Sequence, residues 1–183
     1  MIDSKQATNA LADIDDTVRR VRQSLIYQLS SLIMLMCGAL VFAGNVLSWL
    51  WPRYGLYIWI GVYVFATLGL FALSAYNYAQ SRIRTFDHRY LLTFLLIIAF
   101  GIFCCVFGQF TPRQQTTFWP VYIMLFYMLA GVWFGTAFIV IGAAIIALTL
   151  IGYIYIPGMP FLLWMAVVNG GGLFVGGLWM RRS

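Results

Sequence analysis

Residues 161–180 read FLLWMAVVNGGGLFVGGLWM and run directly into Arg181 and Arg182. Twenty helical residues at 1.5 Å rise cover about 30 Å, the thickness of a bilayer's hydrocarbon core. Trp164 and Trp179 stand near its two ends, where an indole prefers the headgroup boundary. Asn169 falls near the middle, with Gly170, Gly171 and Gly172 directly after it and Gly176 one turn further on. An amide at mid-bilayer needs a partner within the protein, and glycines bring helix backbone within reach of a neighbour. The stretch therefore predicts a spanning helix buried among others. Its centre has two readings. Either the glycines let another helix pack closely, or Asn169, Gly170, Gly171, Gly172 and Gly176 line a solute site where the helix unwinds.

The rest of the chain has the same character. Of its 183 residues 63% are hydrophobic and 9% charged, against roughly 25% charged in soluble domains; the mean hydropathy is +0.89. Between Tyr90 and Met180 the one formal charge is Arg113. No soluble fold solvates such a stretch, and the length suits one all-α helical bundle. The net charge of +6 comes from ten Arg and one Lys that mostly flank apolar runs, so it speaks of membrane topology and not of nucleic acid. Cys37, Cys104 and Cys105 all fall inside apolar runs without metal-ligand spacing, and read as free thiols packed as small apolar groups.

Residues 1–24 form the first part of the chain and 25–183 the second. In the first, Leu11, Ile14, Val18, Val21 and Leu25 recur three and four apart, which predicts one apolar stripe on an amphipathic helix. Asp15 with Arg19 and Asp16 with Arg20 are acid-first pairs one turn apart, worth about 0.3–0.5 kcal/mol each. With four aspartates in residues 1–22 and Ile2 following Met1, neither a cleavable leader nor a myristoyl anchor is expected. No Pro or Gly separates this segment from the first apolar run, so the helix continues into the membrane or lies flat on its surface.

Six spans are expected in residues 25–183: about 25–50, 54–78 and 90–110, two within 117–156, and 161–180. The forty uncharged residues 117–156 are twice what one crossing needs and must fold back, most simply at Gly131–Thr136. With the N-terminus in the cytoplasm, the inner side collects Lys5, Arg19, Arg20, Arg22, Arg82, Arg84, Arg89, Arg181 and Arg182, and the outer side Arg53 and Arg113. That asymmetry follows the positive-inside rule. It favours an even number of crossings with both termini cytoplasmic, in a bacterial-type inner membrane. Pro52 and Trp59, Pro112 and Trp119, and Pro157 and Trp164 are each seven residues apart. Duplication of a two-helix hairpin would produce this, as would turn prolines and interfacial tryptophans placed independently.

The search for chemistry finds little. The chain has five acids, all Asp, and one His; every acid lies in the N-terminal segment or the 82–89 loop, as does His88. No phosphate-cradling loop, nucleophile elbow or zinc-protease motif is present. An enzyme is not expected, nor a metal or cofactor. Proton relays and cation pathways use ionisable groups within the spans, and none is expected here. Two functions from different classes follow. The first is a non-enzymatic protein acting by interaction, as accessory subunit, sensor or regulator. Its basic inner face (Arg19, Arg20, Arg22, Arg82, Arg84, Arg89, Arg181 and Arg182) would meet anionic lipid, a membrane or cytoplasmic protein, or a second copy. The second is a small carrier or channel for a neutral or hydrophobic-cation solute, using the glycine-rich sixth span.

Overall fold

The computed structural model describes residues 4–81 and 88–182, and all regular structure among them is helical. Helix α1 runs from Ser4 to Leu50 without a break, about 70 Å at 1.5 Å per residue. It stops where a proline approaches. Trp51 has left the helical region (φ −127°, ψ 71°), as steric conflict with the following Pro52 ring requires. One 3₁₀ turn, Pro52–Tyr54, leads into α2, Gly55–Ser81. Helix α3 spans His88–Phe107 and α4 spans Pro112–Phe134.

The start of α4 is written in Thr111-Pro112-Arg113-Gln114. Thr111 accepts from the Gln114 N–H, and the Gln114 side chain accepts from the Thr111 N–H at 2.8 Å. That reciprocal cap satisfies two backbone donors that the first turn leaves over, with Pro112 in a position where its missing N–H costs nothing. Helix α4 passes to α5, Thr136–Tyr155, through the single residue Gly135. Its φ of 142° and ψ of 153° belong to glycine alone. The fold-back lies within the expected Gly131–Thr136 stretch.

The last helix has three parts: α6, Pro160–Met165; a π-helical turn, Ala166–Gly171; and α7, Gly172–Arg182. Together they make one continuous rod, called below the terminal helix. It lies at the centre of the fold, with α1 antiparallel along one side and α5 antiparallel along the other. Helix α4 packs behind α5, α2 leans on the far face of α1, and α3 touches α4. A buried apolar cluster joins four of these elements, through Met34 of α1, Met124 of α4, Phe138, Ile141 and Ile145 of α5, and Leu173 and Met180 of α7.

Alternation of direction puts Pro52, Pro112, Pro157 and Pro160 at one end of the bundle, the proline end. Arg89, Arg181 and Arg182 lie at the other, the arginine end. Among the described residues, five helices are long and apolar enough to cross a membrane: Tyr27–Leu50, Pro52–Leu73, Pro112–Phe134, Thr136–Tyr155 and Pro160–Arg181. The apolar run of α3, Leu95–Phe107, is shorter. Large apolar side chains crowd the outside, with Phe107 79% and Trp133 76% exposed. A helical protein with such a surface is solvated by lipid, and its helices are held together by close packing and buried hydrogen bonds.

Candidate functional site: the polar seam around the terminal helix

Glycines set how closely the terminal helix is held. A Cβ on Gly170 would stand 2.6 Å from the Phe42 Cα, and one on Gly177 3.0 Å from the Ser31 carbonyl oxygen. On the α5 side, a Cβ on Gly172 would meet Ile145 at 3.1 Å. One on Gly176 would meet both Ile141 and Met34 at 3.0 Å. Gly171 alone of the group has open space beside it, with nothing within 4 Å. Ser31 adds a bond across the α1 contact, its hydroxyl donating to the Gly177 carbonyl at 2.7 Å.

The backbone does not unwind at Asn169-Gly170-Gly171-Gly172; it widens into a π turn. Consecutive glycines weaken the preference for the tighter α turn. The wider turn seats Gly170 against α1 and Gly172 against α5 within one rod. Asn169 sits in that turn, only 3% exposed. Its Nδ2 donates to the Met165 sulfur at 3.4 Å, a weak acceptor, and its Oδ1 has no partner among the described residues.

Three further buried side chains share this condition. Thr149 of α5 is fully buried, and its Oγ1 has no partner among the described residues. The threonines Thr67, Thr116 and Thr117 each donate to the carbonyl four residues back; Thr149 does not. Asn45 of α1 donates to the Val41 carbonyl at 2.9 Å but leaves Oδ1 unpartnered, and Ser48 leaves Oγ unpartnered. Helix register places all of them. Phe42 faces Gly170, so Asn45 is about one turn nearer the proline end and Ser48 about two. Ile145 faces Gly172 and Gly152 faces Trp164, which puts Thr149 between these contacts, level with the π turn.

Arg113 closes the proline end. Its Nη2 donates to the Tyr153 carbonyl at 2.7 Å and the Ile156 carbonyl at 2.9 Å. Its guanidinium lies 4.9 Å from the Tyr153 ring centroid and 5.4 Å from that of Phe161. A cation on the last carbonyls of α5 complements the negative end of the helix dipole, and the flat guanidinium suits both rings. The one charge between Tyr90 and Met180 thus ties α4 to α5 and α6. Its isolation in the sequence was the available signal, but it suggested only a flank of the membrane.

The tryptophans hold hairpins together as well. Trp164 donates its indole N–H to the Leu148 carbonyl at 2.9 Å, and its ring fills the space beside Gly152. The Trp119 ring covers Gly101, where a Cβ would stand 2.8 Å away, and a Cβ on Gly44 would stand 3.9 Å from the Trp59 ring. Each tryptophan faces a glycine of the preceding helix.

The arginines named from sequence are not gathered into one site. Arg19, Arg20 and Arg22 ride on α1, Arg89 is in the first turn of α3, and Arg181 and Arg182 end α7, with Arg181 exposed. Arg82 and Arg84 lie outside the described residues. Among the described residues no group of three or more His, Cys, Asp or Glu is placed to hold a metal. No protein-family model matches the chain, and no curated protein or solved structure does either.

Proposed function

We propose that this is a six-span protein of a bacterial-type inner membrane, with both ends in the cytoplasm, that acts by interaction as an accessory subunit, sensor or regulator. The supporting observation is the continuity of α1. Its apolar span is Tyr27–Leu50, yet the same helix extends back to Ser4. Residues 4–26 then stand about 35 Å clear of the bilayer as one rod. That rod carries the Leu11–Leu25 stripe and Arg19, Arg20 and Arg22. Helix α3, 20 residues long, supplies the sixth crossing at about 30 Å. The arginine end faces the cytoplasm, where basic residues are retained and where anionic lipid attracts them.

The test is retention of a binding partner. Full-length protein and a form lacking residues 1–22 are purified in mild detergent and their co-purifying proteins compared. Loss of a partner from the shortened form, with the bundle still folded, supports the proposal; intact recovery of every partner counts against it.

A second reading, a small carrier for a neutral solute, draws on one observation, the π turn with its buried, unpartnered Asn169 Oδ1. Interruptions of this kind in a spanning helix are tolerated inside protein or beside a hydrated cavity, and π turns recur at functional sites.

A further inference from the structure

Within its span, helix α1 has one face that no other described helix covers. Ser31, Met34 and Gly38 are buried against the terminal helix, and Met36 and Gly44 touch α2. Leu32 and Leu50 remain 42% and 50% exposed, and Ala39 and Ala43 are exposed between them. Eighteen helical residues are five whole turns, so Ile14 stands in line with Leu32 and Leu50, Val21 with Ala39, and Leu25 with Ala43. The apolar stripe of the N-terminal rod and the uncovered face of the span are therefore one surface on one helix.

The two halves of that surface meet different solvents. Lipid solvates Leu32 and Leu50 without penalty, but the rod stands in water, where a row of Leu, Ile and Val needs cover. The helices that flank α1 stop short of it. Counting from the Ser31–Gly177 bond and the Met36–Gly69 contact, the terminal helix and α2 both end level with about residue 25. Nor does the rod bend down onto the bilayer, because residues 4–37 contain no Pro or Gly at which an unbroken helix turns sharply.

The spacing names the cover. Leu11, Ile14, Val18, Val21 and Leu25 recur three and four apart, the a and d positions of a heptad, which form a narrow seam for another helix. The g positions Ala10, Thr17 and Ser24 are uncharged, so Asp15 and Arg22 at e meet no like charge on a copy lying parallel. In the span, Ala39 and Ala43 have the small-residue spacing that lets two backbones approach closely. We propose that a second copy of this chain docks along this face, α1 against α1, as a parallel pair from the rod through the membrane. The proposal rests on the rod of the proposed function and names its partner. Two copies in one membrane share their orientation, so each seam residue lies beside its own counterpart across a two-fold axis. With the terminal helix and α2 on its other sides, α1 has room for one more helix. It has no room for the two neighbours that each strand of a larger bundle touches.

The test is disulfide trapping of the full chain in isolated membranes, with Cys37, Cys104 and Cys105 changed to Ser and copper–phenanthroline as oxidant. A disulfide needs Cα atoms within about 7 Å, a reach that seam positions meet and others do not. Val18→Cys and Ala43→Cys should each convert the greater part of the chain to dimer. Gln23→Cys, at the heptad position opposite the seam, and Val106→Cys, at a site 70% exposed on α3, should stay monomeric. A chain carrying both Val18→Cys and Ala43→Cys should still give dimer alone; a ladder of larger products overturns the pair. Equal yields at all four positions mean random collision and overturn it too. Trapping at Val18 without Ala43 confines the contact to the rod and overturns the continuous interface. Loss of a co-purifying protein on removal of residues 1–22, with no trapping at either seam position, upholds the proposed function and overturns the pair. Trapping at both, with no other protein co-purifying, upholds the pair and removes the accessory role.

Discussion

Gly38 of α1 and Gly170 of the π turn meet backbone to backbone: a Cβ on Gly38 would lie 2.8 Å from the Gly170 carbonyl oxygen and 2.8 Å from the Phe174 nitrogen. Backbone cannot rotate aside as a side chain can. Gly38→Ala is therefore expected to cost about 1–3 kcal/mol, the range for overpacking. Gly61→Ala in α2, where nothing lies within 4 Å, should be neutral or gain up to about 1 kcal/mol from helix propensity. Thermal unfolding of both variants in one detergent checks the contrast; equal effects would contradict the close approach.

Trp164 and Gly152 form a matched pair, a ring in the space a side chain would fill. Gly152→Ala should destabilise by about 1–3 kcal/mol. Adding Trp164→Leu should cost less in that background than in the parent, because the obstructing ring is gone. A double-mutant cycle measures the coupling, expected at about 0.5–3 kcal/mol for residues in contact. Additive effects would place the two residues apart.

Arg113 holds two carbonyls with one nitrogen and faces two rings. Arg113→Gln keeps a donor but loses the charge and the planar fork, and should cost about 1.5–3 kcal/mol, the value of charge-assisted bonds. Arg113→Lys should recover only part of that, since an ammonium does not stack flat on the rings. The order of unfolding temperatures, parent above Lys above Gln, is the check.

The helices and the place of the α4–α5 turn were legible because they rest on local rules: apolar length, proline stops, and glycine where the chain folds back. Packing between helices was legible in kind but not in partner. The Asn169–Gly172 stretch announced a close neighbour, yet nothing in it names Phe42 or Ile145. Thr149 looked like any other polar residue in a span, because its unpartnered hydroxyl depends on a rotamer. Arg113 was expected as a charge at the membrane flank, since a sequence cannot show the carbonyls of a helix forty residues away turning toward it. The Thr111–Gln114 cap follows from its spacing, a threonine with a glutamine three residues on at a helix start.

Arg19, Arg20 and Arg22 are proposed to meet anionic lipid where α1 leaves the bilayer. Changing all three to Gln should weaken binding of phosphatidylglycerol by about 1 kcal/mol per residue, with little change for phosphatidylcholine. Lipid retained after purification, quantified for parent and variant, gives the answer. Equal retention of both lipids would leave these arginines with topology alone.

The most direct measurement is labelling of single cysteines by a membrane-impermeant thiol reagent in intact cells, in a background with Cys37, Cys104 and Cys105 replaced by Ser. Cysteines at Ser4, His88 and Ser183 should be protected until the cells are opened, and cysteines at Arg53, Gln114 and Gly158 labelled at once. Labelling of position 183 from outside, with position 4 protected, would mean an odd number of crossings and would contradict the six-span arrangement.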